Sequence, residues 1–578
     1  MHPRVRVIVA RPPAGSAAGR YHPPVAGTDA NDSAAGDGGR MPAGIGGETT
    51  LQAIGWERIQ LVVRLAGAVL DLEELALLRV PDADGEPVAP ESMAPTWQRR
   101  EDDGTWIARF NVMLGPGRAP LAPGRWVLAA GSGGVLGAVR IGRHDLVDVF
   151  LAERTFGYRG GRYRVAPRVD PERRALLVEI VHRRTRRRRR WWQRRPAWTS
   201  PTGLRRSAFG LLLDWHRSHG TRNGRRIVFT SDSHSSLVGN LAVVHDRMVE
   251  RGLDREYELT TIFKPSVTAS RSWRDRWRLP RLLAQADVIL LDDYQPVIYR
   301  LPPDPDRRII QLWHASGAFK TVGYSRVGKP GGPSPFWRRH KNYTAAIVSG
   351  QHDVPYYAEA FGLPEDRVMP TGIPRMDRFF DPEARAAGQA TALAAFPAIR
   401  GRSVILFAPT FRGHGPRDAW YDYDRVDWPA LHAAAVATDA VVIVKMHPFV
   451  TQPPPIPARL ADRIVDGTRV PIDVNDLLFA VDLLVTDYSS IVFEFSTLRR
   501  PMLFFAYDLD EYVASRDFYV PFTEFVPGRI ARTFDELMAA IHARDYEFEK
   551  VPAFAQRHFD HLDGGATDRV IDELILRP

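Results

Sequence analysis

The chain is predicted to be an α/β protein with two successive doubly wound parallel-sheet units, preceded by a smaller β-rich domain. Two observations lead there. From Arg226 onward, short apolar runs alternate with helical stretches, and the alternation occurs as two series. Between Leu51 and Ile180 the pattern is instead short, alternating and punctuated by Gly and Pro. Strand–helix alternation implies parallel sheets covered on both faces, whereas half-buried alternation with turns implies an antiparallel sandwich. At 578 residues the chain exceeds what one core organises, so several domains are expected.

Taken in order, residues 1–50 are read as a disordered segment, because 11–48 are rich in Gly, Ala, Pro, Asp and Ser without apolar periodicity. The run Met1–Ala10 is too short for a secretory signal. Residues 51–180 form the β-rich domain, with strands read at Ile59–Leu65, Thr105–Met113, Gly124–Leu128 and Tyr163–Arg168. Residues 181–225 are a linker. It holds Arg183-Arg-Thr-Arg-Arg-Arg-Arg-Arg-Trp-Trp-Gln-Arg-Arg195, in which nine arginines flank Trp191 and Trp192, and then a short amphipathic helix at Ser207–His216.

The first Rossmann-like unit spans 226–385. Its strands are Arg226–Thr230, followed by the turn Ser231-Asp-Ser-His-Ser-Ser236, then Asp287–Leu291, Arg308–Leu312 and Ala345–Ser349. The second unit spans 386–578, with strands at Ser403–Ala408, Val441–Lys445, Asp482–Val485 and Met502–Phe505, and the join falls in Phe380–Arg402. In such sheets ligands lie outside the carboxyl ends of the strands.

Composition narrows the chemistry. With no cysteine there are no disulfides, thiolate metal sites or cysteine nucleophiles. No apolar run is long enough to span a bilayer. A net charge of +10 points to polyanionic partners: phospholipid, nucleic acid or a phosphate polymer.

Three strand ends carry the candidate residues. Val481-Asp-Leu-Leu-Val-Thr-Asp-Tyr-Ser-Ser-Ile-Val-Phe-Glu-Phe495 runs from a strand into an amphipathic helix. It places the Thr486, Ser489 and Ser490 hydroxyls beside free backbone N–H groups, where a phosphate is favoured. Capping the helix is the alternative use of Ser489 and Ser490. Asp487 would repel a phosphate and is read as a cap or as an orienting group, and Glu494 as a partner for ribose hydroxyls. Val441-Val-Ile-Val-Lys-Met-His-Pro448 presents His447, held extended by Pro448, as a donor to a pyrophosphate, with Lys445 beside it. Ile309-Ile-Gln-Leu-Trp-His-Ala-Ser-Gly-Ala-Phe-Lys320 presents His314 in a turn after a strand. It is either a general base or a structural histidine at a strand end. Arg412 and Arg375 are placed to meet a phosphate, or to form surface ion pairs. Asp292 and Asp293 read as turn residues, and no metal is expected.

Six ordered motifs then resemble the CDP-glycerol glycerophosphotransferase family, the polymerases and primases of wall teichoic acid and related capsules. They are Gln311-Leu-Trp-His-Ala-Ser-Gly317, Gly372-Ile-Pro-Arg-Met-Asp377, Ile405-Leu-Phe-Ala-Pro-Thr-Phe-Arg412, Lys445-Met-His-Pro448, Thr486-Asp-Tyr-Ser-Ser490 and Arg500-Pro-Met-Leu-Phe-Phe-Ala-Tyr-Asp508, together covering roughly 225–575. His314-Ala-Ser-Gly317 stands where the family often has His-Gly-Thr-Pro. The resemblance implies a glycosyltransferase-B-type fold with the nucleotide held by the second unit. It implies alditol-phosphate transfer from a CDP-alditol such as CDP-glycerol to a lipid-linked polymer acceptor, with release of CMP. It also implies peripheral attachment at the cytoplasmic face of the membrane, with no cofactor. On that reading His314 and His447 are catalytic. The cluster Arg186, Arg187, Arg188, Arg189, Arg190, Trp191 and Trp192 binds the anionic membrane surface rather than nucleic acid. Rival readings are a nucleotide-sugar glycosyltransferase of the same fold and a non-catalytic membrane scaffold.

Overall fold

The computed structural model describes residues 44–576, apart from 67–73, 82–90, 133–134, 143–148, 150, 173, 185–200, 265–268, 414 and 416. The disorder expected for 1–50 therefore lies outside the described residues up to 43, and the strand Gly44–Glu57 begins before the expected boundary. The basic cluster Arg186–Trp192 also lies outside the described residues.

Among the described residues, eleven strands make one continuous, mainly antiparallel sheet in the N-terminal region. Gly44–Glu57 joins its two parts, pairing antiparallel with Gln60–Ala66 and parallel with Val135–Ile141. Alternate side chains of Gln60–Ala66 are buried, as its sequence pattern requires. They meet Phe110, Trp126, Leu128, Tyr163 and Val178 in a single core. Strands such as Glu74–Val80 and Ala175–Arg184 went unread in the sequence. The region is seated on the first parallel-sheet unit. Arg58 Nε donates to the fully buried Glu359 at 3.0 Å, and Arg118 Nη1 donates to the Lys341 and Tyr343 carbonyls at 2.6 and 2.8 Å.

Two six-stranded parallel sheets follow, the first and second lobes. Numbered in chain order, the strands of the first lie 2-1-3-4-5-6 and those of the second 3-2-1-4-5-6. The central strands are continuous apolar runs: Val288–Leu291, Ala440–Val444 and Leu483–Thr486 are buried throughout. The strands missed in the sequence are the edge strands, Glu258–Phe263, the two-residue Val368–Met369, Ile464–Asp466 and Arg529–Ala531, which are short or partly exposed and give no apolar run. In each sheet the strand order reverses beside strand 1. The first reversal lies between Arg226–Ser231 and Val288–Leu291, and the second between Ser403–Phe407 and Leu483–Thr486. A crevice opens at such a point, since the connections on either side leave to opposite faces.

The last helices cross back to the first lobe. Asp377 accepts from the Ala566 and Thr567 N–H groups at 3.0 and 2.8 Å, and Arg247 pairs with Asp568 at 2.9 Å. The helix Pro201–His219 is longer than the Ser207–His216 expected. It packs on Trp273–Gln285, a helix capped by Ser272, whose side chain accepts from the Asp275 N–H.

Candidate functional site

At the second lobe's reversal, the turn after Leu483–Thr486 is fixed by its own polar groups. Thr486 Oγ1 donates to the Ala408 carbonyl at 2.7 Å. Asp487 Oδ1 accepts from Thr410 N (2.8 Å), Thr410 Oγ1 (2.9 Å) and Tyr488 N (2.6 Å), and Oδ2 accepts from Arg412 Nη1 at 2.9 Å. Asp487 is thus an orienting group rather than a helix cap. Arg412 departs from expectation. It is buried, and its Nε and Nη2 make a forked pair with Asp508 at 2.6 and 2.9 Å beneath Tyr488 and Tyr512. Burial disfavours its charge, but Asp487 and Asp508 outweigh that and raise its pKa. The guanidinium that sequence placed on a phosphate, or in a surface ion pair, is a buried brace under the turn.

Ser489 and Ser490 remain on the open side. Ser489 Oγ accepts from Ile491 N at 3.3 Å, and exposed Ser490 precedes the helix Ile491–Thr497 without a side-chain capping bond. Lys445 is committed elsewhere: its ammonium donates to the Gly467 and Val470 carbonyls at 3.0 and 3.3 Å, tying down the neighbouring loop.

His447 follows the strand Ala440–Val444, which pairs with the other side of Ser403–Phe407, and sits between the rings of Phe411 and Phe449. The Phe449 N–H donates to its Nδ1 at 3.1 Å, so Nδ1 is unprotonated and Nε2 carries the hydrogen. Burial, and then the nearby Lys320 ammonium, lower its pKa and keep the ring neutral.

The first lobe supplies the opposite arrangement. His314 follows Trp313, which has a left-handed φ of 50°, a conformation rare for a bulky residue. Three neighbours hold that turn. Asn240 Nδ2 donates to the Leu312 and Trp313 carbonyls at 3.1 and 2.7 Å, Gln311 Oε1 accepts from Trp313 N at 2.9 Å, and Arg375 donates to the His314 carbonyl at 3.2 Å. The imidazole is half exposed, with Nδ1 3.3 Å from the Asp292 carbonyl and 3.9 Å from Asp293 Oδ1. A carbonyl can only accept, so that bond puts the proton on Nδ1 and leaves Nε2 as the basic nitrogen.

The lobes meet next to this turn. Ser316 Oγ donates to Glu494 Oε1 at 2.8 Å, and Arg375 pairs with Glu494 and donates to Ser316 Oγ at 2.9 Å. Gly317 lies against Phe493 so closely that a Cβ would enter the ring, which accounts for glycine at this position. Lys320 Nζ donates to Tyr512 Oη at 2.9 Å. Glu494, expected on ribose, and Arg375, expected on a phosphate or in a surface ion pair, pair with each other in an interlobe clamp. The clamp links the His314 turn to the helix that begins beside Ser489 and Ser490.

Several neighbours were not singled out as site residues from sequence. Asp292 and Asp293, read as turn residues, face His234 and His314. Ser316 lay inside a recognised motif and Lys320 three residues beyond it, but neither had an assigned role. Among the described residues, His352, Asp353 and His558 have metal-like spacing. Asp353 there accepts from Ala318 N (3.3 Å) and Ser349 Oγ (3.2 Å) and faces His558 Nδ1 (3.3 Å), bonds that brace the back of the His314 loop.

Residues 213–576 match the family model described as CDP-glycerol:poly(glycerophosphate) glycerophosphotransferase. The chain is 44% identical over 356 residues to the teichoic acid ribitol-phosphate polymerase TarK of Staphylococcus aureus, covering 62% of this chain and 69% of that protein. It is 42% identical over 370 residues to the ribitol-phosphate polymerase TarL of the same organism, covering 64% of this chain and 66% of TarL. The wall teichoic acid polymerase TagF is similar in fold, with a TM-score of 0.50 at 19% identity, over 64% of this chain and 94% of that one.

Proposed function

Since the chain belongs to the CDP-glycerol:poly(glycerophosphate) glycerophosphotransferase family, we propose that it transfers an alditol phosphate from a CDP-alditol to a hydroxyl of a teichoic-acid-like acceptor. CDP-ribitol is the first donor to test, because the relatives TarK and TarL are ribitol-phosphate polymerases. The two parallel sheets are read as the lobes of a glycosyltransferase-B-type fold, with the reaction in the cleft between them.

One observation carries the reading: two imidazoles on facing lobes hold their protons on opposite nitrogens. His314 Nε2 is free to take a proton, and His447 Nε2–H is free to give a hydrogen bond. The acceptor oxygen attacks the β-phosphorus as His314 Nε2 removes its proton. A new O–P bond forms, the bond from that phosphorus to the CMP oxygen breaks, and CMP departs. Asp293, 3.9 Å from Nδ1, stabilises the imidazolium that results. His447, Ser489, Ser490 and the backbone N–H groups beside them stabilise the pyrophosphate and the leaving charge. Thr486, Asp487, Arg412, Lys445, Arg375 and Glu494 act one step back, fixing the loops that carry these groups.

Peripheral attachment to anionic lipid at the cytoplasmic membrane face, where a lipid-linked acceptor lies, belongs to the same proposal. Among the described residues no helix is long and apolar enough to cross a membrane. Trp273 and Trp277, 70% and 61% exposed, sit with Arg274, Arg276, Arg278 and Arg281 on Trp273–Gln285, beside exposed Leu211 and Trp215 of its packing partner. Exposed indoles among arginines suit a lipid headgroup layer.

The test is purified protein with CDP-ribitol, CDP-glycerol or UDP-sugars and a lipid-linked acceptor mimic, following CMP or UDP. Acceptor-dependent CMP release from a CDP-alditol is expected. UDP release alone would reassign the protein as a sugar transferase, and no release of either would reject the proposal.

A further inference from the structure

The second lobe's reversal is occupied by the machinery above, but the equivalent crevice of the first lobe has no assigned ligand. It is lined by the turn Ser231–Ser236 and by Asp292 and Asp293, at the ends of neighbouring strands. Its three carboxylates are not equally satisfied. Asp232 Oδ1 accepts from Arg271 at 2.5 Å and Gln295 at 3.2 Å. Asp293 accepts from Ser233 Oγ and from Tyr294 N at 2.6 Å. Asp292 is 3% exposed, its Oδ2 faces His234 Nε2 at 3.4 Å, the Ser231 hydroxyl lies beside its carboxyl, and its Oδ1 has no partner at hydrogen-bond geometry. A buried acceptor left without a donor is costly, and its position at a reversal crevice suits a ligand group that supplies one.

We propose that this crevice is a polyol subsite, in which Asp292 Oδ1 and His234 hold adjacent hydroxyls of the acceptor and present a third oxygen to His314 Nε2. The inference rests on the alditol-transferase reading and specifies how the acceptor is recognised. Carboxylate oxygens accept hydroxyl protons and repel phosphate oxygens, so the ligand chemistry here is that of an uncharged polyol end. His234 Nε2 lies 3.4 Å from Asp292 Oδ2, and its side chain is 40% exposed, so the ring is open to a second hydroxyl. The carbonyl of the same Asp292 accepts from His314 Nδ1, so the group that binds the polyol also orients the base. The anionic donor belongs to the second lobe and the hydroxyl-bearing acceptor to the first.

Asp292→Asn and His234→Ala test this in the full chain. In Asp292→Asn, the amide oxygen stays with His234 Nε2–H, and the amide N–H₂ donor points where Oδ1 accepts in the unmodified protein. Each variant is expected to raise the acceptor KM by about tenfold or more while leaving the CDP-alditol KM within about twofold, the signature of a lost acceptor contact. An unchanged acceptor KM, or an equal rise in both constants, would overturn the subsite. Saturation-transfer NMR with ribitol as the probe and inorganic phosphate as competitor decides the matter without turnover. Ribitol signals are expected from the unmodified protein and not from either variant, and added phosphate is expected to leave them unchanged. Ribitol signals that persist in both variants, or are absent from the unmodified protein, would reject it. If no CDP-alditol is consumed but ribitol still binds through Asp292, the proposed function falls and the subsite stands.

Discussion

At the scale of single residues, the two histidines give the sharpest expectations. His314 is half exposed and braced through its backbone, so His314→Ala is expected to fold normally and lose at least about a hundredfold in kcat, in the range for a general base. Near-normal CMP release would remove it from the mechanism. Lys320 lowers the His447 pKa by repulsion, so Lys320→Met is expected to move the His447 midpoint upward. An NMR pH titration of the ring would detect this, and an unmoved midpoint would place the ammonium too far away. His340 is a different case. It is buried beside the Phe361 ring, and that burial pushes its pKa down to about 4. The unfolded chain takes up that proton near pH 6.5 and the folded one only near pH 4. Stability is therefore intact above 6.5 and falls between 6.5 and 4, by roughly 3 kcal/mol for this group alone. His340→Asn, which tolerates the positive φ at this position, is expected to flatten denaturation midpoints across that window. Sequence made His314 and His447 visible, because an apolar strand ending in a histidine turn is a local pattern. It could not fix their tautomers, which depend on a carbonyl twenty-two residues away in one case and on a local N–H in the other.

At the scale of elements, the strand ends were readable and the bonds between them were not. Central strands announce themselves as apolar runs, whereas Arg412 and Asp508, ninety-six residues apart, meet only because two loops leave neighbouring strands. The same holds for Arg375 and Glu494, whose pairing across the lobes sequence did not show. Glu494→Gln is expected to lower turnover about tenfold or more with little change in fold, because it loosens the clamp that sets the His314 turn against the second lobe. Equal activity in Glu494→Gln and the unmodified protein would make the clamp incidental. The paired helices Pro201–His219 and Trp273–Gln285 carry the membrane expectation. Trp273→Ser with Trp277→Ser should reduce sedimentation with anionic vesicles, and raising salt should weaken binding of the unmodified protein. Unaltered vesicle binding in the double variant would move attachment elsewhere.

At the scale of the whole molecule, the N-terminal sheet is locked onto the first lobe rather than tethered to it. Glu359 is fully buried, with Arg58 as its cationic partner and Gln60 as a further donor. Arg58→Ala leaves that carboxylate uncompensated and is expected to cost about 3–5 kcal/mol. A calorimetric trace that splits into two transitions would identify the lost coupling, and an unchanged single transition would contradict it. Glu365, with its pKa pushed up to about 7 by burial, has the opposite pH sign to His340. Its contribution is present below about pH 4.5 and lost as pH rises through 7, so Glu365→Gln should stabilise at pH 8 and not at pH 4.

The return of the helix Ala566–Val570 to the first lobe, where Asp377 receives it, bears on biosynthesis. A nascent chain can complete both parallel sheets while the Ala566–Val570 helix is still inside the ribosome. The two lobes, however, cannot be latched until that helix emerges, so chains stalled before it would accumulate as folded but idle halves.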